Sequence, residues 1–534
     1  MVDPIGRAGV PRWAAPPWTV TLALALAWLA FAPPTPDLAA QVHRVALFAD
    51  NGFTVWDGSW YGGHHLPDYS LIFPAVADVV GVRVAGVLAV VGSSALFASL
   101  LPGRRHAVAR RWFALGCLGD LLIGRLTYAL GVTAGLASIH ALTRGRPRLA
   151  VALAVVCAAT SPIAGLFLAL AGVALAIARR QRWAIAVSAA ASATVMALSV
   201  AFPEGGSQPF SLGAFAVTAG LSAAGAVAVG RDRVLRVPLA LYAAAATACF
   251  AVASPMGANV SRLGMSFTGP LLAIALGRAA GPRRVALATL LVAATAWQWV
   301  DPITQASRGV DDPSAHAAYY RGLTRELRGI ASGTGRVEVP FTRGHWESAY
   351  LADAGIVLAR GWERQLDRKL NPLFYKKALA PAAYERWLRD DAVRWVALPD
   401  APLDPAGRAE GRLVAAGLPF LREVWHDAHW RLFAVVRPGP LASGPATSAR
   451  LDADGATVVA GAAGTIVLHV RWTPYWRVTE GAACVRRASG SWTAVEALRP
   501  GPIRIAARFS VERAVQATFS AAGPGCDDDA APHP

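Results

Sequence analysis

The sequence predicts a polytopic α-helical membrane protein followed by two soluble domains, an α/β unit and a small β-sandwich. Three observations carry this. The 534 residues are 54% hydrophobic and only 16% charged, against about 25% charged in a typical soluble domain. From residue 15 to about 300 the charges fall in small basic clusters between apolar runs, whereas from 301 onward the composition is that of a soluble protein. The clusters, such as Arg104-Arg105, Arg110-Arg111, Arg144-Arg146-Arg148, Arg179-Arg180-Arg182 and Arg283-Arg284, flank apolar runs and form no single basic face. Short basic loops kept on the cytoplasmic side therefore explain the net charge of +17 without a nucleic-acid partner.

The first apolar run, 16–34, follows Arg7 and Arg12 and lacks a small-residue cleavage site. It reads as a retained helix with its N-terminus in the cytoplasm, which puts residues 35–74 outside. A second helix over about 81–101 returns to the basic "RRHAVARR" turn. Residues 112–143 form a hairpin broken at "GDLLIGRLTY", and 149–178 another, broken at Pro162, which cannot continue a helix. Spans over 183–202 and 211–229 open outward at "PEGGSQPFS", spans over 237–254 and 264–278 at "SPMGANVSRLG", and a last span over 285–300 exits. The total is about eleven crossings, several nearer 15 residues than the roughly 20 of a full span. Such short helices are tolerated beside a wet cavity. This threading sets Asp37, Asp57, His64, His65, Asp120, Arg125, Ser161, Asn259 and Arg262 at the outer ends of their helices, so the polar chemistry is expected on one side.

The membrane domain thus covers 1–300, with its first outer loop at 35–74. An extracytoplasmic α/β domain follows over 301–438, where helix-like segments alternate with "GRVEVPF", "RWVALPD" and "WRLFAVV". Residues 439–534 hold short β-rich runs at turn spacing, the pattern of a small sandwich with a mobile tail. Cys117, Cys157 and Cys249 lie in apolar runs, while Cys484 and Cys526 can pair if their half lies outside the cytoplasm. No cysteine spacing suits a metal, and no repeat recurs along the chain.

In the first outer loop, Leu38, Val42, Val45 and Ala49 recur at helical spacing, with Gln41 and Arg44 off that stripe. This predicts a short amphipathic helix lying on the membrane interface, with Trp56, Trp60 and Tyr61 at headgroup level. Asp37, just before it, can serve as a general base towards a hydroxyl or as the helix N-cap. Asp57 stands in a turn with Gly58; His64 and His65 can contact a phosphate, share a metal, or be plain loop polarity. Asp120 and Arg125, ionisable groups at membrane depth, either pair with each other or leave Arg125 to a lipid phosphate. Arg262 follows a Gly/Asn turn containing Asn259; its fork matches phosphate oxygens, and the alternative is snorkelling to headgroups.

The order of a first span, an outer Asp, an amphipathic helix, "NGFTVWDGSWYGGHHLPDYSLIFP", short-span hairpins with basic turns, and a large outer C-terminal region resembles the bacterial multi-spanning GT-C glycosyltransferases. The resemblance covers about 15–300 as architecture and 37–74 and 254–264 as motif. It implies transfer of a sugar from a polyprenyl-phosphate donor to an envelope glycan, lipid or protein acceptor on the outer face of the cell membrane. It assigns Asp37 as the catalytic carboxylate and Arg262 as the donor-phosphate ligand; Arg125, Asp57, His64, His65 and Asn259 are further candidate substrate contacts from their own chemistry. The first loop lacks an Asp-x-Asp pair, so no metal or other cofactor is expected. A multi-pass transporter or flippase, and a non-enzymatic envelope scaffold, are the rival readings.

Overall fold

The structure, a computed structural model, describes residues 15–330 and 333–519. Helix α1 (Pro17–Phe31) is apolar on all sides, and the chain then turns by 77° into α2 (Pro36–Asn51). Proline opens α2 at a position whose N–H has no helical partner. Thr35 is the N-cap residue, so Asp37 lies in the first turn and is not the cap. After a hairpin loop come α3 (Phe73–Val80) and α4 (Val82–Leu100), then α5 (Ala107–Gly116), α6 (Leu118–Ile123) and α7 (Leu126–Thr143). The break expected at Pro162 separates α8 (Pro147–Thr160) from α9 (Pro162–Arg179). The remaining helices of this half are α10 (Arg182–Ala201), α11 (Leu212–Ala228), α12 (Arg233–Ala251), α13 (Ser261–Leu276) and the 30-residue α14 (Gly281–Val310).

Among the described residues, α4, α7, α9, α10 and α12 are long and apolar enough to cross a bilayer, which makes five, or six if α1 and α2 are one bent span. Such helices are compatible with a membrane protein. This count does not show the expected eleven crossings: breaks after Gly116, Ile123 and Thr160 cut apolar runs into pieces shorter than a full span, and α11 and α13 have 17 and 16 residues. The last expected span, 285–300, is the middle of α14, which runs on past Asp301.

The α/β domain follows. Helix α15 (Ala317–Ile330) leads to β3 (Arg336–Glu338); the two-residue strands β1 (Trp56–Asp57) and β2 (His64–His65) belong to the first loop. Then come α16 (Glu347–Tyr350), α17 (Arg364–Leu370), α18 (Pro381–Asp390), β4 (Val393–Pro399), α19 (Arg408–Ala415), β5 (Leu421–His426) and β6 (Trp430–Val435). The sheet order is β3-β4-β6-β5, with β3 and β4 parallel and a parallel bridge from Leu358 on the other side of β3. Residues 442–507 make two four-stranded antiparallel sheets whose facing side chains, including Val458, Ile466, Val495 and Ile505, share one core, as a sandwich does. The tail from 520 and Cys526 lie outside the described residues, and with Cys526 lies its expected pairing to Cys484.

The first loop does not spread on an interface. Trp56, Trp60 and Tyr61 are at most 1% exposed, because the C-terminal domains close over them. Trp60 donates to the Ser348 carbonyl at 3.0 Å, Tyr61 donates to the Gly361 carbonyl, and Trp56 packs edge-on against Trp476 of the sandwich. Each ring withdraws enough apolar surface to stabilise the docking by roughly 4 kcal/mol. The turn joining β1 to β2 needs glycine at 63: its φ is +111°, and a Cβ there would lie 2.0 Å from the Trp56 ring. Helix α2 is likewise covered, and its polar side chains Gln41, His43 and Arg44 are buried with its apolar ones. The interfacial amphipathic helix is thus an internal one, since its polar face meets protein.

His43 shows how the halves are clasped. Its Nε2 lies 2.9 Å from Asp57, its Nδ1 3.2 Å from Asp353 of the α/β domain, and its ring stacks on Trp60. Burial opposes a charge here, but the two carboxylates outweigh it and raise the imidazole from 6.5 to about 9. Asp57 is fully buried and carries most of this, because Asp353 is a third exposed and screened. A raised folded-state value means the contribution, on the order of 3 kcal/mol, is complete below about 6.5 and fades as pH climbs through 9. The neighbouring His64 is neutral, pushed down to about 4 by burial, and does not titrate in that window. The midpoint of thermal unfolding is expected to fall between pH 7 and 10 in the natural protein and to stay flat in His43→Gln; an equal slope in both would assign the loss elsewhere.

Candidate functional site

Helix α2 turns Asp37, Gln41 and Arg44, at i, i+4 and i+7, to one side. All three line a single cavity of about 970 Å³ between the helical half and the α/β domain. They form a ladder about 10 Å long. At the bottom, Asp37 Oδ2 lies 3.4 Å from Arg125 Nε, and Arg125 Nη2 lies 3.2 Å from Asp301 Oδ2. In the middle, Gln41 accepts from Thr127 and donates to the Tyr69 hydroxyl at 2.9 Å. At the top, Arg44 donates to Glu363 at 3.0 Å and stacks on Tyr69.

Glycine 124 sets the bottom rung. It ends α6 at φ +89°, and a Cβ would fall 2.6 Å from the Leu38 nitrogen and the Thr35 hydroxyl. Without a side chain the α6–α7 link rests against the start of α2, bringing Arg125 to Asp37. Arg125 is therefore held by Asp37 and Asp301, and the pair with Asp120, one of the two alternatives read from the sequence, is not among its ion pairs. The α14 extension past residue 300 supplies Asp301.

Arg262 reaches the same cavity from α13. The turn before it is fixed by Tyr242, whose hydroxyl donates to the Val260 carbonyl at 2.9 Å and accepts from Gly264 N–H at 3.0 Å. Asn259 lines the cavity too, and its amide holds the Pro255 carbonyl at 3.2 Å. The Arg262 guanidinium lies 5.7 Å from the Tyr128 ring and has no ion pair among the described residues; its Nε is buried without a hydrogen-bond partner. Ser161, the N-cap of α9, also lines the wall.

The α/β domain roofs the cavity with Arg343, His345, Trp362, Glu363, Arg364 and Asp404. Glu363 is pushed up to about 7 by burial, against the pull of Arg44, and Asp68 beside it is raised well above the carboxylate range. Glu204, from the loop after α10, is the third carboxylate of this wall. His345, with φ +55°, stacks on Trp362 at 3.5 Å. Asp404 sits 2.9 Å from Arg364 and 3.5 Å from His345, which hold it well below the usual range despite burial.

Asp57, His64 and His65 do not line the cavity. Asp57 accepts from Ser59 N–H at 2.7 Å in a local turn and also holds His43. His64 stacks on Trp60, and His65 lies 2.6 Å from Glu204 and 2.9 Å from Thr473, behind the wall. The two histidines face different partners and share no ligand position. Among the described residues no group of three His, Cys, Asp or Glu is arranged for a metal ion. The cavity thus offers Asp37 held by Arg125, two guanidiniums, Arg262 and Arg343, without an ion pair among the described residues, and a roof rich in hydrogen-bonding groups. No protein-family model matches the chain, and no curated protein matches it.

Proposed function

We propose that this chain is an inverting membrane glycosyltransferase of the GT-C type, taking a polyprenyl-phosphate sugar on the outer face of a cell membrane. The observation that carries the reading is that Asp37 and Arg262 line one cavity of about 970 Å³. A second, apolar cavity of about 210 Å³ between α7, α9, α12 and α13 shares Tyr128 with it, which suits a ligand with a charged head and a hydrocarbon tail. Arg262 binds the donor phosphate as a forked, charge-assisted partner. Asp37 takes the proton of an acceptor hydroxyl as that oxygen attacks the anomeric carbon, and the bond to the phosphate oxygen breaks so that polyprenyl phosphate leaves. Arg125 is a positioning residue: it holds Asp37 Oδ2, and Oδ1 makes no hydrogen bond or ion pair among the described residues. The helical half spans the bilayer with the N-terminus inside and both C-terminal domains outside, the shorter helices completing a wall around the cavity.

The test is transfer of radiolabelled sugar from a polyprenyl-phosphate donor to an envelope acceptor fraction by the full chain in nanodiscs. Solute flux in proteoliposomes without transfer would favour a transporter, and neither activity a scaffold. In the transfer assay Arg262→Gln is expected to raise the donor KM about 10–100-fold through loss of charged hydrogen bonds. An unchanged donor KM would remove Arg262 from the phosphate.

A further inference from the structure

Five arginines line the cavity: Arg44, Arg125, Arg262, Arg343 and Arg364. Arg44, Arg125 and Arg364 are ion-paired to carboxylates of the wall. Among the described residues the guanidiniums of the other two, Arg262 and Arg343, have no ion pair. Arg262 rises from the helical half, and Arg343 belongs to the roof. One lipid phosphate accounts for the first and leaves the second without a function.

The topology of the roof says what kind of place Arg343 occupies. The parallel core of the α/β sheet is the Leu358 segment, β3 and β4. The chain leaves β3 towards Leu358 on one side and returns to β4 on the other, while β4 leads away to β5 and β6. Strands β3 and β4 therefore flank a switch point, the place outside the carboxyl ends of parallel strands where open α/β sheets bind ligands. All three carboxyl-end loops reach the cavity: the one after β3 with Arg343 and His345, the one after Leu358 with Trp362 and Arg364, and the one after β4 with Asp404. They are tied together by Arg343 N–H donating to the Pro402 carbonyl at 2.8 Å and Asp404 N–H to the Phe341 carbonyl at 2.9 Å. The ties fix the backbone at Arg343, whose side chain makes no hydrogen bond or ion pair among the described residues.

The geometry points to a second ligand site on this crest, in which Arg343 binds the anionic group, carboxylate or phosphate, of a hydroxyl-rich sugar. Asp404, held ionised by Arg364, and the edge of Trp362 beside it supply an acceptor for sugar hydroxyls and an apolar surface. On the transfer reading above, this sugar is the acceptor, and the enzyme selects acidic acceptors over neutral ones. The binding site itself does not need that reading.

The test uses the full chain in nanodiscs and isothermal titration with glucuronate, glucose 1-phosphate and glucose. At least one acid is expected to bind about tenfold or more tightly than glucose, and which one does distinguishes a carboxylate from a phosphate as the natural group. Titrated in an Arg262→Gln background, which removes the lipid-phosphate ligand, Arg343→Gln is expected to weaken the acid about tenfold or more, to the level of glucose. Glucose binding as well as both acids, no acid binding in that background, or acid binding there that survives Arg343→Gln would each overturn the proposal. Should the glutamine variant not fold, arginine modification of the natural protein decides: glucuronate or glucose 1-phosphate protects Arg343 from phenylglyoxal if the site exists and fails to if it does not. Acid binding at Arg343 without any sugar transfer would sink the transfer reading alone; transfer with no Arg343 effect would sink this one alone.

Discussion

Asp37→Asn is expected to lower sugar transfer by about 10²–10⁴-fold, the usual contribution of a general base, with the protein still folded. The amide has the shape of the carboxylate and fills the same place in the first turn of α2, but it cannot take a proton. The structural loss is small. Asp37 is 29% exposed and its pairing with Arg125 is at 3.4 Å, so the ion pair is worth under about 1 kcal/mol, and Arg125 keeps Asp301 at 3.2 Å. Asp301→Asn is the matched control, because it removes the other carboxylate on the same guanidinium. A large loss in Asp37→Asn beside a modest one in Asp301→Asn identifies the base. Full activity in Asp37→Asn, or equal losses in both variants, would show that Arg125 and its charge balance matter and that Asp37 takes no proton.

The residues at this centre were legible because long apolar helices carry a rule that shows in the sequence. Charged and polar groups among apolar runs have to end at an aqueous place, and basic turns fix which end of each helix that is. Asp37, Arg125, Ser161, Asn259 and Arg262, scattered over more than 200 positions, were assigned to one side on that ground and line one cavity. The same rule misled where protein replaced lipid as the covering surface. Gln41, His43 and Arg44 have the spacing of a solvated helix face, yet their partners Tyr69, Asp353 and Glu363 include groups over 300 positions away. Trp60 and Tyr61 have the composition of an interfacial belt, but the carbonyls of Ser348 and Gly361 satisfy them. No local pattern reports a partner so distant. Glu204 had a weak signal, a lone acid in the Gly-rich turn "PEGGSQPFS", and it is what His65 closes on. Arg343 had none: its position follows from which strands are parallel.

Arg360→Met is expected to destabilise the α/β domain by about 3–5 kcal/mol, lowering its unfolding midpoint by about 10 °C. Arg360 is 3% exposed and forks onto Asp367, with Nε–Oδ1 at 3.0 Å and Nη2–Oδ2 at 2.8 Å, while Nη1 reaches Glu338 at 3.4 Å and Glu410 at 3.3 Å. Three carboxylates on one guanidinium cannot all be ionised in such a place, and burial raises Glu338 and Glu410, the latter to about 7. Asp367 is the partner the fork grips with both oxygens, held further by Asn371 at 2.9 Å and Tyr375 at 2.6 Å. Methionine fits the slot between Phe341 and Phe374, whose ring centres lie 3.8 and 3.9 Å from the guanidinium carbon, so the loss is chiefly that of the charge. Asp367 is then a buried carboxylate with no cation beside it. A double variant, Arg360→Met with Asp367→Asn, removes the stranded carboxylate and is expected to recover most of the midpoint. If the single variant shifts by less than about 2 °C, or the double is no better, hydrogen bonds from Asn371 and Tyr375 hold the carboxylate without Arg360. The stake reaches the cavity as well, because Arg360 and Asp367 bracket the segment carrying Trp362, Glu363 and Arg364, and a roof without that anchor cannot keep the crest loops in register.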